Sequence, residues 1–309
     1  MIMTKWTSSN IQNLDGKTAI VTGANSGLGL ITTKELAGKG CHVVMACRSI
    51  DKAEVAAKEI RNTYPKASIE IIALDLSSMD SIKTFSDEIH KRFKTIDLLC
   101  NNAGVMDIPF RKTAEGFEMQ FGTNHLGHFA LTGRLLDLIA HTEGARIVTT
   151  SSLMHIPGKI NFDDLHWSKG YSGWGAYFQS KLANLLFTYE LERKLKTAGA
   201  KAISVASHPG YASTNLQLVA AQMESSSFQE NLWKSMNACV AQSAEMGTLP
   251  TLYAATSNNI KGGDYIGPKI LGWRGYPKKA NSSKRSKDKA VASKLWAVSE
   301  ELTGIQFNF

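Results

Sequence analysis

The chain has no apolar run approaching the roughly 18 residues that a membrane-spanning helix requires, and its opening stretch, MIMTKWTSSNIQNLDGK, lacks the hydrophobic core of a secretory signal. A soluble, cytoplasmic protein is expected. Cysteine is scarce: Cys41, Cys47, Cys100 and Cys239 show neither C-x-x-C pairing nor a dense spacing. This excludes a disulfide framework and a zinc ribbon, so the four read as small hydrophobes in a reducing compartment, with no metal site. Proline-rich linkers, internal repeats and low-complexity tracts are missing as well. With 309 residues and 43% of them hydrophobic, the chain is expected to bury one large core as a single domain.

Basic charge is in excess, at +8, and its placement matters more than its size. Between residues 278 and 289, Lys278, Lys279, Lys284, Arg285, Lys287 and Lys289 face only Asp288, a local +5. The segment has no interleaved aromatics, and no helix-turn-helix or zinc-finger pattern accompanies it. It reads as a solvated loop ahead of the last helix, and no nucleic-acid partner is expected.

From Lys17 onward, short β-branched or apolar runs at 18–22, 41–46, 68–74, 96–100, 145–150 and 202–207 alternate with helical patterns at 28–38, 51–62, 79–92, 113–140 and 175–197. Such alternation implies right-handed βαβ crossovers and a parallel sheet covered by helices on both faces, a doubly wound α/β fold. Residues 1–15 form an N-terminal extension to it. The stretch 211–242 breaks the rhythm with a long apolar, methionine-rich run. Ligands in open α/β sheets bind beyond the carboxyl ends of the strands, so this stretch reads as a substrate lid.

Tyr177 and Lys181 stand four apart within YFQSKLANLLF, a spacing that puts a phenol and an ammonium on one helical face. A fixed cation favours the phenolate and lowers a tyrosine pKa from about 10, which would make Tyr177 a usable acid. Spacing alone does not prove this, since Tyr265 and Lys269 repeat it across Gly267-Pro268, where no helix can continue. The surrounding motifs carry the case.

After the first apolar run comes TGANSGLG, with Gly23, Gly27 and Gly29 leading into a helix. Glycines let backbone N–H groups close on a pyrophosphate, which the helix N-terminus also favours. The second strand ends in MACRS, so Cys47 occupies the place where an acid would hold a ribose 2′-hydroxyl, and Arg48 beside it suits a 2′-phosphate. NADP(H) is therefore preferred over NAD(H).

TGANSGLG, Asp75-Leu76, NNAG at 101–104, a serine ending the fifth strand and the Tyr177/Lys181 pair occur in the order of the short-chain dehydrogenase/reductase family, which residues 15–305 resemble. FGTNHLGHF at 121–129, GKINFDDL at 158–165 and the YFQSKLANLLF run are most similar to the retinol dehydrogenase and protochlorophyllide reductase-like branch. The resemblance implies a Rossmann-type fold and an apolar aldehyde, ketone or alcohol as the small-molecule substrate. It assigns Ser152 to polarising the substrate oxygen, Tyr177 to the proton, Lys181 to the nicotinamide ribose and the Tyr177 pKa, and Asn124 to a water in the proton relay. Ser151 competes for the serine role; the second serine of such a pair is the family's usual one, and its spacing of 25 to Tyr177 is close to that of the branch.

For the cofactor, the resemblance implies Gly23, Asn25, Ser26, Gly27, Leu28, Gly29, Arg48, Asp75, Leu76, Asn101, Ala103, Gly104, Tyr177, Lys181, Pro209, Gly210 and Thr214. It also implies a substrate-side insertion at 153–174, and a homo-oligomer using the helices at 113–140 and 175–197 is compatible with it. His125, His128 and His208 read as structural. Two other classes remain open: an epimerase or dehydratase, which usually carries a TGxxGxxG turn, and a dinucleotide-sensing scaffold, which would be expected to lose one of Asn124, Ser152, Tyr177 and Lys181. Arg48→Asp should shift preference from NADPH towards NADH; an unchanged ratio of the two kcat/KM values would count against a phosphate clamp.

Overall fold

The structure is a computed structural model that describes residues 5–211 and 242–309. Six strands, β1 (Thr18–Thr22), β2 (His42–Cys47), β3 (Ile69–Ala73), β4 (Leu98–Asn101), β5 (Arg146–Thr150) and β6 (Ile203–Ser207), coincide with the apolar runs to within two residues at either end. Two more, β7 (Tyr265–Ile270) and β8 (Arg274–Lys279), complete a sheet ordered β3-β2-β1-β4-β5-β6-β7-β8. Every pairing is parallel except β7 with β8.

Side chains on successive strand residues point to opposite faces, and each face is covered. Ala19 and Val21 pack beneath α1 (Gly27–Ala37), α2 (Ile50–Thr63) and α8 (Ala244–Thr256), meeting Leu36, Ala57 and Leu252. Ile20, between them, points the other way into Phe85 of α3 (Met79–Arg92), Phe129 of α5 (Gly127–Arg134) and Leu191 of α7 (Gly173–Thr197). The helix expected at 113–140 starts later and is not uniform: α4 (Met119–Phe121) runs into a π turn, Gly122–Leu126, before α5, and α6 (Leu136–Ile139) follows. Glu118 fixes the late start, because its buried carboxylate accepts from the N–H groups of Gln120 at 2.9 Å and Phe121 at 2.7 Å.

The basic side chains of the 278–289 segment are exposed, as expected, but the segment is more ordered than a loop. Its first residues, Lys278 and Lys279, end edge strand β8, and its last, Lys289, opens α9 (Lys289–Thr303). Arg285 donates to Gly158 O at 3.2 Å, and Ser282 accepts from Tyr189 OH at 2.8 Å. The α9 helix lies on α7, where Ala292 and Leu295 meet Leu182 and Leu186. The N-terminal extension also packs, with Trp6 edge-on to Tyr253 of α8 at 5.1 Å. Among the described residues, no helix is long and apolar enough to cross a membrane.

The three histidines that read as structural fall in this interior. His125, His128 and His208 are almost fully buried, and desolvation pushes their pKa values down to about 3, about 4 and about 3. In the unfolded chain all three titrate near 6.5, so unfolding takes up protons as the pH falls below that value. Stability is complete above pH 6.5 and declines towards pH 4, at most by about 4 kcal/mol per pH unit when all three contribute. Chemical denaturation at pH 7.5 and 5.5 measures this; equal midpoints would show that the imidazoles are not held neutral.

Candidate active site

The carboxyl ends of β1, β4, β5 and β6 open onto one edge of the sheet, where the motif residues collect. Thr22, the last residue of β1, binds them to one another. Its hydroxyl accepts from the N–H groups of Asn102 and Ala103, both at 2.9 Å, and reaches His128 Nε2 at 3.0 Å. His128 Nδ1 lies 3.0 Å from Asn124 O, an acceptor only, so the proton is on Nδ1 and Thr22 donates to Nε2. A chain of hydrogen bonds thus links the glycine turn, the NNAG segment and the π turn.

The glycine turn sits between β1 and α1. A β-carbon on Gly29 would lie 2.3 Å from Gly23 O and 2.6 Å from Asn102 Nδ2, so only glycine lets the helix start this close to the strand end. Asn102, which the sequence reading passed over, donates from that amide to Thr22 O at 2.9 Å. The N-termini of α2, α3, α7, α8 and α9 are capped by side-chain oxygens of Ser49, Ser78, Ser172, Ser243 and Asp288. Ser26, at the same position of α1, makes no such bond. The first-turn N–H groups of α1 are left without a side-chain acceptor, as an anion site requires.

At the end of β2 the Cys47 thiol faces the backbone N–H groups of Ala24 and Asn25, although burial still raises it to about 11. Arg48 is exposed beside it. Asp75 accepts from Ser77 N at 2.9 Å and Ser77 Oγ at 2.6 Å, which shapes the turn into α3, and Leu76 is buried next to it. Asn101 turns its amide into the core, donating to Thr132 Oγ1 at 3.0 Å, so its backbone alone borders the cleft. Pro209 and Gly210 follow β6, with Pro209 O accepting from Gln242 at 2.7 Å. Thr214 and nearly all of the 211–242 stretch lie outside the described residues; its two ends meet through Gln242 N and Tyr211 O at 2.9 Å.

Tyr177 and Lys181 share a face of α7 turned towards the end of β5, and both are nearly fully buried. The two serines divide the work. Ser151 donates to the backbone O of Lys181 at 2.8 Å and is also hydrogen-bonded to Tyr265. Ser152 instead directs its hydroxyl at the Tyr177 phenol and favours the ionised form. Asn124, in the π turn, clamps Val105 through both its N–H (2.8 Å) and its carbonyl (2.9 Å) and donates to Ser180 Oγ at 3.0 Å. Its side chain therefore holds the loop after NNAG. Asn124 and Lys181 converge on Gly104: a β-carbon there would come 3.0 Å from Asn124 Oδ1 and 3.5 Å from Lys181 Nζ.

One expectation is reversed. The Tyr177 phenol is pushed up to about 12, because burial outweighs the help from Ser152. The Lys181 ammonium lies 5.6 Å from the phenol ring centroid and hydrogen-bonds Thr150 O at 3.3 Å, and burial lowers its own pKa to about 8. The two groups are thus a phenol and an ammonium at neutral pH.

The insertion 153–174 closes over this edge. Tyr171 OH donates to Ile108 O at 2.8 Å and accepts from Gln120 Nε2 at 2.9 Å. Trp167 packs against the start of α7 at Gly175, and the Trp174 ring stands edge-on to Tyr177 at 6.3 Å. Glu118 and Gln120, which join this insertion to the π turn, carry no motif and were missed; burial of an acid beside an apolar run is invisible before the fold is known.

The short chain dehydrogenase profile matches residues 17–225. Human retinol dehydrogenase 13 is 40% identical over 294 residues, covering 95% of this chain and 86% of that one. Mouse retinol dehydrogenase 11 is 40% identical over 300 residues, with coverage of 96% and 89%. The crystal structure of an uncharacterised protein from Mycobacterium paratuberculosis superposes with a TM-score of 0.82 at 41% identity, over 99% of this chain and all of that one. The matched span includes the glycine turn, the β5 serines and the buried tyrosine and lysine, and the chain belongs to the short-chain dehydrogenase family.

Proposed function

We propose that this protein is an NADP(H)-dependent oxidoreductase that interconverts an apolar aldehyde or ketone with its alcohol. The observation that carries the reading is the meeting of Ser152, Tyr177 and Lys181, three chemically complementary groups, at one strand end. The residues fit a dinucleotide: α1 offers an N-terminus without a side-chain cap, Gly29 and Gly104 keep the cleft open where a β-carbon would fill it, and Arg48 is exposed at the end of β2. Arg48 would take the 2′-phosphate, the α1 turn the pyrophosphate, and Lys181 the nicotinamide ribose. The bound nicotinamide supplies or accepts the hydride.

The remaining steps belong to side chains. Negative charge gathers on the carbonyl oxygen as it is reduced, so donors fixed there stabilise the transition state more than the ground state. The Ser152 hydroxyl accepts from Met154 N at 3.2 Å, so the proton it turns towards the Tyr177 phenol is the one it would donate to that oxygen. Tyr177, held as a phenol, gives up its proton to the same oxygen. The phenolate left behind is the charge that the buried Lys181 ammonium is placed to offset. The Trp174 ring beside Tyr177 would form an aromatic wall for the substrate. An apolar substrate accords with this wall and with human retinol dehydrogenase 13, whose name makes its substrate a long, apolar alcohol.

Tyr177→Phe should lower reduction of decanal by NADPH at least about 100-fold while NADPH affinity, followed by fluorescence titration, stays within about threefold. Turnover equal to that of the parent would remove Tyr177 from the chemistry. Because Lys181 must be charged and its pKa is lowered to about 8, kcat for reduction should fall as the pH rises through that value. A flat profile from pH 7 to 10 contradicts the electrostatic role.

A further inference from the structure

Ser152 acts only if its hydroxyl is aimed, and it lies just beyond β5, on the first residue of a turn. What fixes it is its carbonyl. Ser152 O accepts from His155 N at 3.1 Å and His155 Nδ1 at 2.6 Å, and Tyr265 OH lies 3.5 Å away. A carbonyl cannot donate, so His155 carries its proton on Nδ1. Nε2 is then an acceptor, and it receives Ser283 N–H at 3.1 Å. One tautomer satisfies both ends of the ring.

The imidazole is a buried strut between the turn of Ser152 and the segment that joins β8 to α9. His155 is fully buried, and Tyr265, 3% exposed, stands edge-on to its ring at 5.7 Å. Ser283 is itself held, accepting from Ser286 N at 3.3 Å through its hydroxyl and from Ser286 Oγ at 2.7 Å through its carbonyl. On the other side of Ser152, Ser151 is tied to Ser207 O by its N–H and to Lys181 O by its hydroxyl, both at 2.8 Å. The peptide after Ser152 is thus clamped from the β8–α9 side, and the peptide before it from α7 and β6.

We infer that His155, braced by Tyr265 and Ser283, is a positioning residue that holds the Ser152 hydroxyl against Tyr177. It touches no substrate; it works through the plane of the Ser152–Leu153 peptide. A displacement on the order of 1 Å at an aimed donor can lower a rate about 100-fold. The inference rests on the reading of Ser152 and Tyr177 given above.

Two amide substitutions separate the ends of the ring. His155→Asn places an N–H near Nδ1 and keeps the bond to Ser152 O, whereas His155→Gln places its amide near Nε2 and keeps only the Ser283 contact. With decanal and NADPH, His155→Gln should lower kcat about 10- to 100-fold with KM for decanal and NADPH affinity within about threefold. His155→Asn should stay within about threefold of the parent. A second readout needs neither cofactor nor turnover: the NMR signal of isotopically labelled tyrosine Cζ, assigned to Tyr177 through Tyr177→Phe. His155→Gln should move it in the direction set by Ser152→Ala, and His155→Asn should leave it in place. Equal losses in both variants, unfolding of both, or a parental Tyr177 signal in His155→Gln overturns the inference. A signal that moves as expected while even Ser152→Ala turns over normally supports the positioning role and refutes the catalytic reading instead.

Discussion

The structure is organised around a buried ammonium with too few partners. Lys181 is 3% exposed, and among the described residues its three N–H donors have one acceptor, Thr150 O, which Asn184 also uses at 3.0 Å. Taking such a cation out of water is unfavourable unless it is paired, and burial lowers its pKa. The arrangement makes sense as a site prepared for charge that arrives during a reaction. On the proposed reading, a neutral phenol close by would become an anion only on delivering its proton, with the ammonium already in place.

Holding an ammonium there demands a rigid carrier. The α7 helix is fixed on one side by the sheet and on the other by α9 and the C-terminal tail, where Trp296 packs with Phe129, Phe187 and Phe307 at centroid distances of 5.1, 5.8 and 4.5 Å. Lys194, lower on α7, lies over the Trp296 ring at 4.9 Å. The tyrosine, the lysine and the backbone carbonyl that receives Ser151 therefore move as one body. The π turn does the same for Asn124, since its extra residue per turn re-aims one side chain without ending the helix.

The parts of this arrangement that could be read from the chain are those carried by short-range rules. The alternation of apolar runs and helical patterns predicted six strands and the parallel sheet, because strand and helix periods depend on neighbours in sequence. The pairing of Tyr177 with Lys181 is one helical turn, and the need for glycine at position 29 follows from the contact of a strand with the helix that succeeds it. Strands β7 and β8 escaped because their prolines, Pro268 and Pro277, argue against a strand interior. Both are tolerated since they face each other at the sheet edge, where β6 pairs no further than Ile266. Tyr265, dismissed as an accidental partner of Lys269, indeed lies on no helix, yet its hydroxyl ends up behind Ser152.

The amino-acid sequence by itself determined the order of elements, the glycine turn and the chemical identity of the groups that meet at the strand ends, since each depends on residues within one or two turns of one another. Only the tertiary structure decided their states. Burial is set by the whole fold, and it turned the expected depression of the Tyr177 pKa into a rise. Contacts distant in sequence tied the Ser151 hydroxyl to Lys181 O, committed the Asn124 amide to Val105, and joined His155 to a basic segment more than 120 residues away. A hydrogen bond is selected by distance in space, and two positions remote along the chain acquire that distance only when the sheet has closed and the helices have packed on it.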